Sequence, residues 1–98
     1  MTSHDEEARD RAIVTVLGTD RPGIVASVSG VLAQCNANIL DISQTILQDI
    51  FTMTMLIDLS VTTIEFASLQ ERLAALSEEL GVQISMQREE VFKYMYRL

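Results

Sequence analysis

An α+β fold of element order βαββαβ, a four-stranded antiparallel sheet with two helices on one face, is what this sequence predicts. Three observations carry the expectation. Residues 24–35 and 66–80 space their apolar side chains three and four apart, the period of a helix buried on one side. Residues 11–18, 38–48, 51–61 and 82–86 are short runs rich in β-branched or alternating apolar residues. Their order along the chain leaves two strand–helix–strand units joined by a hairpin. The 98 residues, 48% apolar, suffice for one domain with its own core and exclude an intrinsically disordered chain.

Residues 1–10, MTSHDEEARD, carry no periodic apolar pattern and are expected to form a flexible acidic tail. His4 lies beside Asp5, Glu6 and Glu7, but adjacent ligands on a tail seldom close a metal site, so no metal is expected. RAIVTVLG at 11–18 turns Ile13, Val14, Val16 and Leu17 toward both faces, which suits a central strand. The stretch TDRPGIVASVSGVLAQCNANI at 19–39 is the one around which the other elements are organised. Pro22 suits a first helical position, where its missing N–H has no intrahelical partner, and Asp20 or Thr19 can cap that first turn. Ile24, Val28, Val31, Leu32 and Cys35 form one apolar helix face, and Asn36 and Asn38 tolerate the turn after it. Ala26, Gly30 and Ala33 make a stripe of small side chains, read either as close packing against the second helix or as contact with a partner subunit.

In 38–48, NILDISQTILQ, Leu40, Ile42 and Ile46 alternate with Asp41, Ser43 and Thr45, the pattern of a half-buried strand. FTMTMLIDLSV at 51–61 repeats it, with Phe51, Met53, Met55, Ile57 and Leu59 in phase as core, and the link Gln48-Asp49-Ile50 makes the two runs a hairpin. Thr62 with Glu65 fits a capping box. Phe66, Leu69, Leu73, Leu76 and Leu80 then mark a helix face, Gly81 its left-handed end, and Glu71, Arg72, Glu78 and Glu79 its solvated side. Val82, Ile84 and Met86 alternate as the last strand. VFKYMYRL at 91–98 holds Phe92, Tyr94 and Tyr96, and its residues 92–98 are expected to be an apolar tail docked on their own sheet or on a partner.

Two right-handed crossovers in this order put both helices on one sheet face, the ferredoxin-like arrangement, with residues 11–91 as the domain. One face is left without helices and two edges stay open, so a homodimer by sheet continuation is expected.

Charge and composition exclude several functions. The net charge is −7, and the basic residues (Arg9, Arg11, Arg21, Arg72, Arg88, Lys93, Arg97) are scattered and outnumbered two to one, so no nucleic-acid partner is expected. No apolar run approaches the roughly 18 residues of a membrane helix. The acidic N-terminus has the character of neither a signal nor a transit peptide, and the single cysteine allows no internal disulfide. A cytoplasmic protein without membrane or cofactor is the expectation. No enzyme is expected either: a Ser–His or Cys–His pair would need His4 of the tail, Cys35 falls on the buried helix line, and Walker and GxGxxG motifs are absent. Acylphosphatases share the element order, but Arg21 with one following glycine matches their phosphate loop poorly.

The strand leading into Asp20-Arg21-Pro22-Gly23-Ile24-Val25-Ala26, then Val28-Ser29, and Asn38-Ile39-Leu40-Asp41-Ile42 after the helix resembles the ACT domain over residues 11 to about 88. It is most similar to small stand-alone ACT proteins and to the ACT segments of formyltetrahydrofolate deformylase and the glycine cleavage system transcriptional repressor, without an attached catalytic or DNA-binding domain. The resemblance implies side-by-side dimers with small-ligand sites, usually for amino acids, between the first turn of one subunit and strand two of its neighbour. The residues at those positions have fitting chemistry. Free N–H groups and the helix dipole at Asp20–Ile24 suit a carboxylate, with Pro22 forming the turn and Gly23 allowing close approach. The Asn38 amide can hold an α-amino group, Asp20 can balance an ammonium, Arg21 can pair with a second carboxylate, and Ile24 and Ile39 can line an apolar part. The expected function is therefore an amino-acid-sensing regulatory dimer acting on another protein. The alternative is a ligand-free adaptor module in which Pro22-Gly23 only starts a helix and Asn38 only caps a turn.

Overall fold

β1 (Arg11–Thr19) is the strand on which the sheet is assembled. Ala12, Val14 and Val16 are buried on one side of it, while Arg11, Ile13 and Thr15 are half-buried on the other. The structure, a computed structural model, describes residues 10–95. It continues through α1 (Ile24–Gln34), β2 (Asn38–Leu47), β3 (Ile50–Asp58), α2 (Phe66–Leu80), β4 (Gln83–Arg88) and α3 (Glu89–Met95). The strands lie in the order β2-β3-β1-β4, every neighbouring pair antiparallel. This is the expected ferredoxin-like fold. The expected tail at 1–10 lies, but for Asp10, outside the described residues, as do Tyr96 and Leu98 of the expected C-terminal tail.

The core joins Ala12, Val14 and Val16 to Phe51, Met53, Met55 and Ile57 of β3 and Val82 and Met86 around β4. Ile24, Val28, Leu32 and Cys35 cover it from α1, and Leu69, Leu73 and Leu76 from α2. Each fully buried aliphatic or aromatic side chain contributes about 1.5–3 kcal/mol. Helical period thus selects the right faces of both helices, and the methionine run is core as expected.

β2 departs from expectation. Its residues are exposed apart from half-buried Ile39, rather than half-buried on one face. A β-bulge between Ile39 and Asp41 takes Leu40 out of register, so Leu40 does not share a face with Ile42 and Ile46. Ile42, Gln44 and Ile46 do face the helix side, opposite Met55, Met53 and Phe51. Those three β3 residues are buried and their β2 partners exposed, so helical cover ends between the two strands.

Both helices begin later than the local signals suggest. α1 starts at Ile24, with Gly23 as its N-cap and no side-chain cap, so Pro22 precedes the helix and neither Asp20 nor Thr19 caps it. α2 starts at Phe66 with Glu65 as N-cap and no side-chain cap. Thr62 Oγ1 instead donates to the Leu59 carbonyl at 3.0 Å, closing the preceding turn rather than a capping box. The helix ends follow expectation: Asn36 takes φ 62° after α1, and Gly81 takes φ 71° after α2, its N–H donating to the Ser77 carbonyl. The Ala26–Gly30–Ala33 stripe does not pack against α2. Ala26 and Ala33 are exposed, and a Cβ at Gly30 would meet nothing within 4 Å.

α3 packs against β1 and β4. Arg11 Nε and Nη2 each donate at 2.9 Å to the two carboxylate oxygens of Glu89, which is buried, and Lys93 approaches the same carboxylate at 3.7 Å. Arg11 points away from the face of buried Ala12, so this fork holds the start of α3 on the side without α1 and α2. The same side carries a row of hydroxyls, Ser43, Thr54, Thr15 and Ser85, aligned across four strands, with Thr15 and Ser85 hydrogen-bonded at 2.6 Å.

Gly18 is where β1 accepts no side chain. A Cβ there would lie 2.6 Å from Val82 Cγ1 and 2.9 Å from Val82 Cβ. Gly18→Ala is expected to destabilise the fold by about 1–3 kcal/mol in urea unfolding. Val82→Ala in the same chain should recover part of that loss, the coupling expected of groups in contact. Additive effects would show that the two do not meet.

Candidate functional site

The corner between β1 and α1 is built by Pro22 and Gly23. Gly23 has φ 91° and ψ −6°, the geometry of the third residue of a type II turn, in which proline favours the second place. A turn rather than a first helical position is therefore what Pro-Gly forms here. The left-handed φ also explains the glycine, because any Cβ would strain this backbone although the space around it is open. Ser27 N–H makes the first bond of α1, to the Gly23 carbonyl at 2.9 Å. The N–H groups of Ile24, Val25 and Ala26 precede it, and no side chain caps them.

Asp20, Arg21, Pro22 and Gly23 are exposed, and Ile24 is buried under the corner. Asp20 N–H donates to the Asp49 carbonyl at 2.8 Å, tying the corner to the β2–β3 hairpin. Arg21 Nη1 donates to the Leu80 carbonyl at 2.6 Å and so closes the C-terminal end of α2. One guanidinium N–H of Arg21 is thus engaged within the chain, and the residue stays exposed at the corner. A surface cavity of about 510 Å³ adjoins the corner at Leu17, Gly18, Thr19, Gly81 and Gln83, and no residue of the Asp20–Ile24 turn lines it.

Asn38 and Ile39 are elsewhere. They open β2, and the sheet register places Asn38 opposite Asp58, which in turn faces Arg11 at the far end of β1. Eight steps of strand, roughly 26 Å, separate that end from Thr19. Within one chain, then, the fold brings Asp20, Arg21, Pro22, Gly23 and Ile24 together and holds Asn38 and Ile39 apart from them. Asn38 begins a strand and caps no turn; exposed, it lines a smaller cavity of about 280 Å³ with Asn36 and Val61. Asn36 Nδ2 donates to the Val61 carbonyl at 3.2 Å.

Sequence reading missed the hairpin Gln48-Asp49 as part of this corner. The signal was available in the topology, because the turn of a β2–β3 hairpin must lie at the end where β1 finishes. Cys35 is buried, with Arg72 Nη1 3.1 Å from its Sγ. His4 lies outside the described residues.

The match to known proteins agrees with this architecture. Residues 10–87 match the family model of the ACT domain. A UPF0237 protein of Methanocaldococcus jannaschii is 54% identical over 88 residues, covering 90% of this chain and 98% of the relative. The solved structure of an ACT domain protein from Streptococcus pneumoniae superposes with a TM-score of 0.74 at 42% identity, over 88% of this chain and 97% of that one. A formyltetrahydrofolate deformylase from Pseudomonas putida KT2440 shares the fold alone, at TM-score 0.71 and 18% identity, over 80% of this chain and 28% of its own. The chain belongs to the ACT domain family.

Proposed function

We propose that this ACT domain is a regulatory module that works as a homodimer and binds a small amino-acid-like molecule at the subunit boundary. The site would form where the Asp20–Ile24 turn of one protomer meets the start of β2 of the other. The observation that supports this most is β2 itself, a ten-residue edge strand whose Leu40, Ile42, Ile46 and Leu47 are all exposed. Its outer backbone groups are a template for a further strand. Two such edges pairing antiparallel about a two-fold axis cover that row and extend the sheet. The pairing runs each strand against the other's direction, so the second protomer's Asn38 arrives beside the Leu47 end, near the turn. Residues that one chain holds about 26 Å apart then converge.

The chemistry of such a site comes from groups on both sides. Uncapped N–H groups at Ile24, Val25 and Ala26 receive a carboxylate at the positive end of α1. Asn38 of the second protomer takes the α-amino group, with Ile39 beside the apolar part and Asp20 balancing the charge. Arg21 is committed to the Leu80 carbonyl. That bond draws the Arg21 cation toward the end of α2, and the two carboxylates of Asp20 and Asp49 outnumber it at the corner, which disfavours a ligand with a second carboxylate. A ligand held by both protomers favours the dimer and so couples metabolite level to docking on another protein.

Titration calorimetry of the full chain against the common amino acids tests the reading. One or a few neutral or basic amino acids should give saturable heat, with aspartate and glutamate weakest. No heat and no thermal shift with any of them would count against it. In light scattering, Ile42→Lys with Ile46→Lys should convert dimer to monomer and abolish the heat. Undiminished binding by that monomer would place the site elsewhere.

A ligand-free adaptor is the second reading, favoured by the exposure of Val91 and Tyr94 on α3. It expects removal of residues 92–98 to weaken self-association or partner capture and amino acids to leave both unchanged.

A further inference from the structure

At the end of the sheet opposite the Asp20–Ile24 turn, where β3 and β4 finish and α2 starts, lies a cleft of about 480 Å³. Asp10, Glu65 and Arg88 bring charge to it, and Leu59, Ile64 and Phe66 bring apolar surface. Its volume falls within the roughly 300–1,000 Å³ of small-molecule sites. Arg88 stands over the Phe66 ring with its guanidinium carbon 4.3 Å from the centroid. That contact places the cation over the ring, and a guanidinium has N–H groups enough to meet a planar carboxylate as well.

Among the described residues, the Arg88 guanidinium makes no hydrogen bond or ion pair, and the carboxylates of Asp10 and Glu65 make none either. Charges of both signs therefore line one cleft without meeting. A ligand carrying both charges satisfies them together, whereas a simple anion meets two carboxylates and a simple cation leaves Arg88 unanswered. We propose that this cleft binds a small aliphatic zwitterion, its carboxylate on Arg88, its ammonium on Asp10 and Glu65, and its side chain on Leu59, Ile64 and Phe66. It lies about 26 Å along β1 from the Asp20–Ile24 turn and does not depend on the dimer-boundary reading.

The probe is L-leucine, added to the full ¹⁵N-labelled chain and followed by amide chemical shifts, with leucinamide and 4-methylpentanoate as analogues lacking one charge. Leucine should shift the amides of Phe66, Ala67 and Arg88 saturably, and each analogue should bind about tenfold or more weakly for want of one charge-assisted contact. Arg88→Gln should bring leucine down to the level of leucinamide, and Ile42→Lys with Ile46→Lys should leave these shifts intact even where binding at the boundary is lost. Three results would each overturn the proposal: no saturable shift at these amides with leucine, equal binding of leucine and both analogues, or leucine binding unchanged in Arg88→Gln.

Discussion

The bare edge of β2 is the constraint that gives this structure its meaning. Cover by α1 and α2 reaches β3 and stops, so Met53, Met55 and Phe51 are buried while the residues beside them on β2 face water. An exposed edge strand bearing isoleucine and leucine is a liability for a chain on its own, because both its backbone groups and its side chains invite another strand. The Leu40 bulge does not blunt the edge beyond its first residues. The other edge differs: β4 is six residues long and runs straight into α3, whose first turn is held by the fork between Arg11 and Glu89. One edge strand is short and leads directly into a packed helix, and the other is a long row of exposed residues.

The same asymmetry orders the candidate site. The turn before α1 is fixed from three sides: Gly23 sets its bend, Asp49 receives the Asp20 amide, and Arg21 reaches across to the end of α2. A corner so tied holds its uncapped amides in place. Asn38 and Ile39, which share its proposed ligand, stand at the far end of the sheet in the same chain. In the proposed dimer the antiparallel run of β2 removes that separation, so ligand and second protomer stabilise one another.

Much of this was legible in the sequence, and the remainder has physical reasons for being hidden. Periodicity of two and of 3.6 picks out Val14 and Val16, Met53 and Met55, Val28 and Leu32, Leu69 and Leu73, because burial of one face leaves that trace whatever the tertiary partner. Helix starts are less legible, since capping and turn signals use the same residues. Pro22-Gly23 suits a helix entry and a type II turn alike, and Thr62 can cap a helix or close the turn at Leu59. The β2 alternation is genuine, but period two says only that two faces differ and not that this chain covers either. That residues 20–23 form an exposed turn leading into α1 was visible in the Asp-Arg-Pro-Gly residue types. The engagement of Arg21 was not, because its acceptor is a backbone carbonyl 59 positions away.

The most direct measurement of the central claim uses dimers mixed from labelled and unlabelled chains. In isotope-filtered NOE spectra, pairing through β2 predicts contacts between Asn38 or Ile39 of one protomer and residues 20–24 of the other, strengthened by a bound amino acid. A dimer that lacks those contacts and joins through some surface other than β2 would contradict it.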